Sequence, residues 1–202
     1  MDIKQEVLKK IKPTPSEENE VEKKVKKFLD KLNSKLIEAK AIIGGSFAKE
    51  TWLRGNHDVD IFVLFDDDKD CSDILERILT KCFGKVTRVH GSRDYFNITK
   101  YDLNFEIVPV FKIDKCKEAR NITDVSPLHV KWVRSRLTEE LADDIRIAKQ
   151  FFKAQGIYGA ETYIKGFSGY VVEILTINYG SFEKLMKAGS KLKSENGLTS
   201  MI

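Results

Sequence analysis

The sequence predicts an α+β fold, in which a part containing strands and helices is followed by an all-helical part. Short apolar runs bounded by polar residues recur up to about residue 111, as is typical of buried strands. Beyond about residue 125, apolar residues recur at helical spacing instead. We therefore divide the chain into residues 1–125, residues 126–190 and a polar tail at 191–202, which we expect to be loosely ordered.

The first element is a helix that begins after Thr14. Thr14 can cap the helix, Pro15 suits its first position, and Glu17 can complete a capping box. Apolar residues then recur at helical spacing and predict one buried face, formed by Val21, Val25, Phe28, Leu32 and Leu36. Lysines lie mostly on the other faces, a pattern that favours a solvated surface over RNA binding.

Five strands and one further helix are predicted before residue 112. The helix carries apolar residues from Ile74 to Cys82 and ends near Gly84. Pro109 disfavours full pairing on both sides at the far end of the last strand, because proline lacks the N–H group that a central strand needs. The predicted strands span residues 41–43, 58–65, 85–90, 94–99 and 103–111.

Four helices are predicted in the second part of the chain. Gly156 ends the second of them, and Gly180 separates the third from the fourth. The first begins at Ser126-Pro127, and the other three span residues 138–155, 166–179 and 181–188.

Composition indicates a globular protein of a reducing compartment. The 202 residues are 42% hydrophobic, and no apolar run approaches the roughly 20 residues that span a bilayer. The N-terminus lacks the apolar segment of a signal peptide, and three cysteines without CxxC spacing argue against a zinc site. We therefore expect a cytoplasmic location and no membrane association. The net charge of +4 is only weak evidence for a nucleic-acid partner.

An acidic pair opens the strand at residues 58–65. Asp58 and Asp60 point to the same face because side chains alternate along a strand, and a divalent cation between them would offset their repulsion. The turn Gly44-Gly45-Ser46, about a dozen residues earlier, can offer backbone N–H groups and a hydroxyl to a phosphate. The chain contains no Walker loop. Together these features predict metal-dependent handling of a nucleoside triphosphate. The acidic run at residues 66–68 is interpreted as a solvated loop.

A third carboxylate, Glu106, lies in the apolar run at residues 104–108. A lone buried Glu is costly unless it is paired or metal-bound, although exposure on an edge strand would also explain it. In the catalytic interpretation, Asp58 and Asp60 hold Mg²⁺ on the triphosphate and Glu106 joins them at a second metal beside the attacking hydroxyl. Ser46 and Lys49 would then grip the β- and γ-phosphates.

The motif Gly45-Ser46, Asp58-x-Asp60 and a distant Glu106 resembles the nucleotidyltransferase superfamily that includes DNA polymerase β. Residues 45–55, Gly-Ser-Phe-Ala-Lys-Glu-Thr-Trp-Leu-Arg-Gly, resemble more specifically the archaeal-type (class I) CCA-adding enzymes, which are tRNA nucleotidyltransferases. The resemblance covers about residues 14–188 and includes further matching segments at Thr14-Pro15 and residues 107–109, 126–129, 156–161 and 166–170.

The resemblance implies a polymerase β-like catalytic head with a mixed sheet at residues 1–125. Residues 126–190 would be part of a helical, nucleotide-binding central domain, truncated relative to the family. The metal-binding carboxylates of the family match Asp58, Asp60 and Glu106, and imply a two-metal Mg²⁺ site. Triphosphate contacts match Ser46 and Lys49, although relatives often have Arg at the second position. Contacts to the phosphates or sugar of the incoming nucleotide match His129, Lys149 and Tyr158, with Ser126 a weaker candidate.

The implied activity is template-independent addition of CMP and AMP from CTP and ATP to the tRNA 3′ end. Family members are about twice this length, and the arginine that reads the incoming base lies in the part that has no counterpart here. The chain could be a split enzyme completed by a second polypeptide or by self-association, a reduced natural form, or an engineered fragment. An inactive RNA-binding subunit and a less specific RNA-tailing enzyme are the alternative functions.

Overall fold

The computed structural model describes residues 2–66, 71–160 and 163–191. They form two compact units, one of residues Lys10–Ser135 and one of the described parts of Met1–Lys9 and Arg136–Ile202. No helix in the described ranges is long and apolar enough to cross a membrane. Residues 67–68 of the predicted acidic loop and residues 192–202 of the predicted polar tail lie outside these ranges.

The described residues of the Lys10–Ser135 unit contain a five-stranded sheet, the helices α2 to α5 and two 3₁₀ turns. The strands are β1 (Ala39–Ile43), β2 (Asp58–Phe65), β3 (Thr87–Val89), β4 (Tyr95–Lys100) and β5 (Leu103–Phe111). The helices are α2 (Pro15–Asn33), α3 (Gly45–Ala48), α4 (Cys71–Phe83) and α5 (Ser126–Arg134), and the 3₁₀ turns span Cys116–Glu118 and Ile122–Val125.

The sheet is mixed, as the family resemblance implied. Its strand order is β1-β2-β5-β4-β3, with β2 and β5 parallel and the other pairs antiparallel. Pro109 lies opposite Val63 of β2, whereas the pairing of β5 with β4 extends only as far as Ile107. The proline therefore lies where β5 has one neighbour, which confirms the expectation that its missing N–H excludes pairing on both sides.

The predicted start of α2 is confirmed. The Thr14 hydroxyl accepts the Glu17 N–H at 3.3 Å, and the Thr14 N–H donates to Glu17 Oε2 at 2.6 Å, which completes the capping box. The apolar stripe of α2 then faces the sheet, since Val25, Phe28 and Leu32 are buried.

One face of the sheet packs against α2 and α4 and forms the main core. The Phe28 ring stacks on Phe105 of β5 at 3.9 Å and on Phe83 at 4.1 Å between ring centroids. The alternate residues of β2 that point into this core, Val59, Ile61 and Val63, are fully buried. Because side chains alternate, Asp58 and Asp60 are directed to the opposite face.

The second unit contains the helices α6 (Glu139–Ala154), α7 (Gly169–Tyr179) and α8 (Phe182–Gly189). It also contains most of α1 (Ile3–Ile11). Its apolar core includes Ala148, Phe152 and Val172. The Lys4 ammonium of α1 lies 2.6 Å from Asp144 Oδ1 of α6 and 3.3 Å from Glu183 Oε1 of α8. These ion pairs connect the start of the chain to its later helices.

Asp124 fixes the segment that leads from β5 into α5. Its side chain is fully buried and accepts the backbone N–H groups of Phe111 at 2.8 Å, Asn121 at 2.9 Å and Arg120 at 3.1 Å. The Arg93 guanidinium lies 3.1 Å from its Oδ1 and compensates its charge. This carboxylate therefore links the end of β5 to the turn that precedes α5.

We expect Asp124→Asn to lower the free energy of unfolding by about 3–5 kcal/mol, because the Arg93 side chain, only 10% exposed, would lose the carboxylate that compensates its charge. Urea denaturation would measure the change. The matched control is Asp114→Asn at an exposed position nearby, for which we expect a change within about 0.5 kcal/mol. Equal stabilities of the two variants would contradict the role given to Asp124.

Candidate active site

The parallel pairing of β2 with β5 places the three predicted carboxylates on one face of the sheet. Asp60 lies directly opposite Glu106, and Asp58 lies opposite Asn104. Residues paired across neighbouring strands are separated by about 5 Å. Asp58 is exposed, whereas Asp60 and Glu106 are half-buried. Because β5 has β2 on one side and β4 on the other, exposure of Glu106 on an edge strand, the alternative interpretation of this residue, is wrong.

Glu106 carries the clearest electrostatic signal of the site. Burial, followed by the charges of Asp60 and Asp58, raises the pKa of Glu106 from 4.5 to about 7. A nearby positive charge stabilises the ionised form of a carboxylate that is flanked by two others. Carboxylate oxygens are also the ligands that Mg²⁺ prefers, so the chemistry of the donor set fits a magnesium ion.

Within residues 2–66, 71–160 and 163–191, no three acidic, histidine or cysteine side chains form a ready-made metal cluster.

The two glycines before Ser46 lie directly on the acidic strand. The Gly44 N–H donates to the Asp60 carbonyl at 2.8 Å, and an added Cβ on Gly44 would lie 2.4 Å from the Phe62 ring. Gly45 has a φ of +54°, and an added Cβ would lie 1.5 Å from Asp60 Oδ2. Only glycine combines this backbone conformation with such a close approach. The short helix α3, which replaces the simple turn expected from the sequence, is therefore set against the Asp60 carboxylate.

Three predicted phosphate-binding residues lie in the same unit as the carboxylates. Ser46 is half-buried in α3, and Lys49, directly after α3, has only 6% of its surface exposed. His129 is half-buried in α5, where burial and then the Lys49 charge lower its pKa. Lys49 and His129 are thus close enough to interact. Ser126, the weaker candidate, is the first residue of α5.

Lys149 and Tyr158 belong to the other unit. Lys149 is buried in α6, and its Nζ lies 2.7 Å from Oε1 of the buried Glu173 in α7. Tyr158 is half-buried, and an added Cβ on Gly169, at the start of α7, would lie 2.6 Å from its hydroxyl. The roles of both residues in nucleotide binding stay predictions.

Sequence reasoning missed Asn104. Its Nδ2 donates to Asp58 Oδ1 at 3.2 Å, and its own Oδ1 accepts the Thr99 hydroxyl at 3.0 Å. The sequence did contain a signal for this residue. Asn104 precedes Glu106 by two positions, and it must therefore lie on the same face of the strand as Glu106.

The fold is shared with RNA-modifying enzymes of known structure. A cytoplasmic RNA terminal U-transferase aligns with a TM-score of 0.63 at 18% identity, over 87% of this chain and 51% of that one. The polymerase core of TRAMP, an RNA surveillance complex, aligns with a TM-score of 0.62 at 16% identity, over 87% and 53%. Identities this low demonstrate a shared fold and nothing more specific.

Curated relatives are more similar in sequence. The chain is 36% identical over 198 residues to the CCA-adding enzyme of Sulfurisphaera tokodaii and 37% identical over 199 residues to that of Saccharolobus shibatae. These matches include 96% and 95% of this chain but 47% of each relative, so the chain spans about half of their length.

Two domain families match consecutive parts of the chain. The second domain of tRNA nucleotidyltransferases matches residues 143–201. The nucleotidyltransferase domain matches residues 22–129, which include the mixed sheet, the glycine turn and all three carboxylates. The chain therefore belongs to the nucleotidyltransferase family.

Proposed function

We propose that the protein transfers CMP and AMP from CTP and ATP to the 3′ end of tRNA without a template and releases pyrophosphate. The observation that carries this proposal is the in-register placement of Asp60 and Glu106, with Asp58 on the same face and Gly45 against the Asp60 carboxylate. Nucleotidyl transfer is the chemistry for which such a set of oxygen ligands is suited.

The tRNA substrate and the choice of CTP and ATP are inferred from similarity. The relatives with 36% and 37% identity are CCA-adding enzymes, and the matches extend through nearly the whole chain. Since the chain spans about half of their length, the activity of the full-length relatives is transferred to it as a hypothesis.

The three carboxylates would hold Mg²⁺, with Asp58 and Asp60 on the side of the triphosphate and Glu106 on the side of the attacking 3′-hydroxyl. When bound, the metal would supply positive charge to the attacking and leaving oxygens. A bond forms between the RNA 3′ oxygen and the α-phosphorus while the bond from that phosphorus to pyrophosphate breaks, and the hydroxyl proton is released. Gly45 supports this step by leaving room for the Asp60 carboxylate.

The remaining residues are assigned to the nucleotide. Ser46 and Lys49 would contact the β- and γ-phosphates, because they follow the glycine turn that lies against Asp60. His129, whose pKa is lowered by burial and then by the Lys49 charge, is proposed to contact the phosphates or the sugar of the incoming nucleotide. Lys149 and Tyr158 are proposed to contact the phosphates or the sugar, in accordance with the family resemblance.

A less specific RNA-tailing reaction is the second candidate. It would use the same three carboxylates, and it is motivated by the match of the chain to only 47% of each CCA-adding relative. In a further form of the same proposal, the chain selects the base only together with a second polypeptide or a second copy of itself. Separate and combined incorporation of labelled CTP and ATP distinguishes ordered from unordered addition.

Replacement of Asp60 by Ala should abolish incorporation of labelled CTP and ATP into tRNA that lacks its 3′ end, because a metal ligand is lost. The matched control is Asp30→Ala on the exposed surface of α2, which should retain the parent rate. Transfer by the Asp60 variant near the parent rate would show that the site is assigned wrongly.

Gly45→Ala should lower the rate of incorporation by at least about 100-fold, because the added methyl group must displace the Asp60 carboxylate. The chain offers a close control in Gly55→Ala. Gly55 also has positive φ, +78°, but no atom lies within 4 Å of its added Cβ. The control therefore reports the cost of the backbone conformation alone. Equal losses of activity in the two variants would contradict the proposal that the close approach of Gly45 to Asp60 matters for activity.

A further inference from the structure

We propose that Asn104 is a positioning residue that fixes the rotamer of the Asp58 carboxylate for metal binding, and that Thr99 in turn fixes the amide of Asn104. This inference rests on the proposed function, since it assigns Asn104 and Thr99 to the same carboxylate site.

The three residues form a row across three neighbouring strands. Asp58 of β2 is paired with Asn104 of β5, and Asn104 is paired with Thr99 of β4. The side chains follow the same order, with Nδ2 of Asn104 3.2 Å from Asp58 Oδ1 and the Thr99 hydroxyl 3.0 Å from Asn104 Oδ1. In the described part of the chain, Asn104 is the only side chain that donates a hydrogen bond to Asp58.

Asp58 needs such a partner more than the other two carboxylates do. It is exposed, and it lies at the first position of β2, so packing does not fix its side chain. A neutral amide can orient it without competing with a metal for charge, as a Lys or Arg would. The bond occupies Oδ1 and leaves Oδ2 of Asp58 for a cation.

The Thr99 hydroxyl holds the amide of Asn104 from the side opposite Asp58. It donates to Asn104 Oδ1, so that the oxygen of the amide faces β4 while the NH₂ group faces the Asp58 carboxylate. The reversed amide would place two oxygens against each other and repel Asp58.

A purely structural role does not explain this row. Asn104 and Thr99 are both exposed, and the strands that carry them are already joined by their backbone pairing. Asparagine is also disfavoured in strands, so sheet stability alone would favour another residue at position 104.

The experiment measures binding of Mn²⁺ to the full chain without nucleotide, by the EPR signal of the free ion. Mn²⁺ prefers the same oxygen ligands as Mg²⁺. Partners of metal ligands contribute about 10–100-fold to metal affinity, so Asn104→Ala should weaken Mn²⁺ binding by at least about 10-fold. It should raise the Mg²⁺ concentration needed for half-maximal transfer to a similar extent, with little change in thermal midpoint.

Thr99→Val should have a smaller effect in the same direction, and Thr99→Ser, which keeps the hydroxyl, should restore parent binding. The matched control is Thr87→Val, an exposed threonine on the same face of β3, two strands further from β2 than Asn104. It should bind Mn²⁺ as the parent does. In the Asn104→Ala background, Thr99→Val should have no further effect, because Thr99 acts through Asn104.

Parent-like Mn²⁺ binding by Asn104→Ala would overturn the proposal, and additive effects of the two substitutions would overturn the part assigned to Thr99. A lower thermal midpoint with unchanged Mn²⁺ binding would identify a structural role and would also overturn it. Failure of the proposed function is separate: the parent would then transfer no nucleotide, while the Mn²⁺ measurements would still decide the role of Asn104.

Discussion

The mutual repulsion of three carboxylates is the constraint on which the site depends. Parallel pairing of β2 with β5 places Asp60 beside Glu106, with Asp58 on the same face. Burial, followed by the charges of Asp60 and Asp58, raises the pKa of Glu106 to about 7. The fold holds this arrangement because the opposite face of the same strands is anchored in the main core, where Val59 and Ile61 are fully buried. The stability of that core offsets the electrostatic cost of the site.

Several contacts in the Lys10–Ser135 unit position residues beside the three carboxylates or in the helix that carries His129. Gly45 allows α3 to approach the Asp60 carboxylate, and Asn104 supplies the neutral hydrogen-bond donor to Asp58. Asp124 anchors the segment before α5, which carries His129. Each feature uses a short-range contact to place a polar group that the site needs, and none adds a further charge to the three carboxylates.

Local signals predicted much of the fold. The alternation of Asp58 and Asp60 with apolar residues predicted the bounds of β2, and the Thr14 capping box predicted the start of α2, because both patterns act between residues close in sequence. The neighbour of β2 could not be predicted in this way, since β2 and β5 are separated by about forty residues. The contact of Gly45 with Asp60 and the bond from Asn104 to Asp58 likewise depend on tertiary register. The ion pair of Lys4 with Asp144 joins residues still further apart.

We expect a divalent cation to relieve the electrostatic strain on the Glu106 carboxylate and so to lower its pKa. The most direct test is an NMR titration of the Glu106 side-chain carboxyl in ¹³C-labelled protein, first without and then with Mg²⁺, assigned by Glu106→Gln. We predict a pKa of about 7 for Glu106 without metal and a marked decrease of that pKa when Mg²⁺ is added. A pKa near 4.5 that Mg²⁺ leaves unchanged would contradict it.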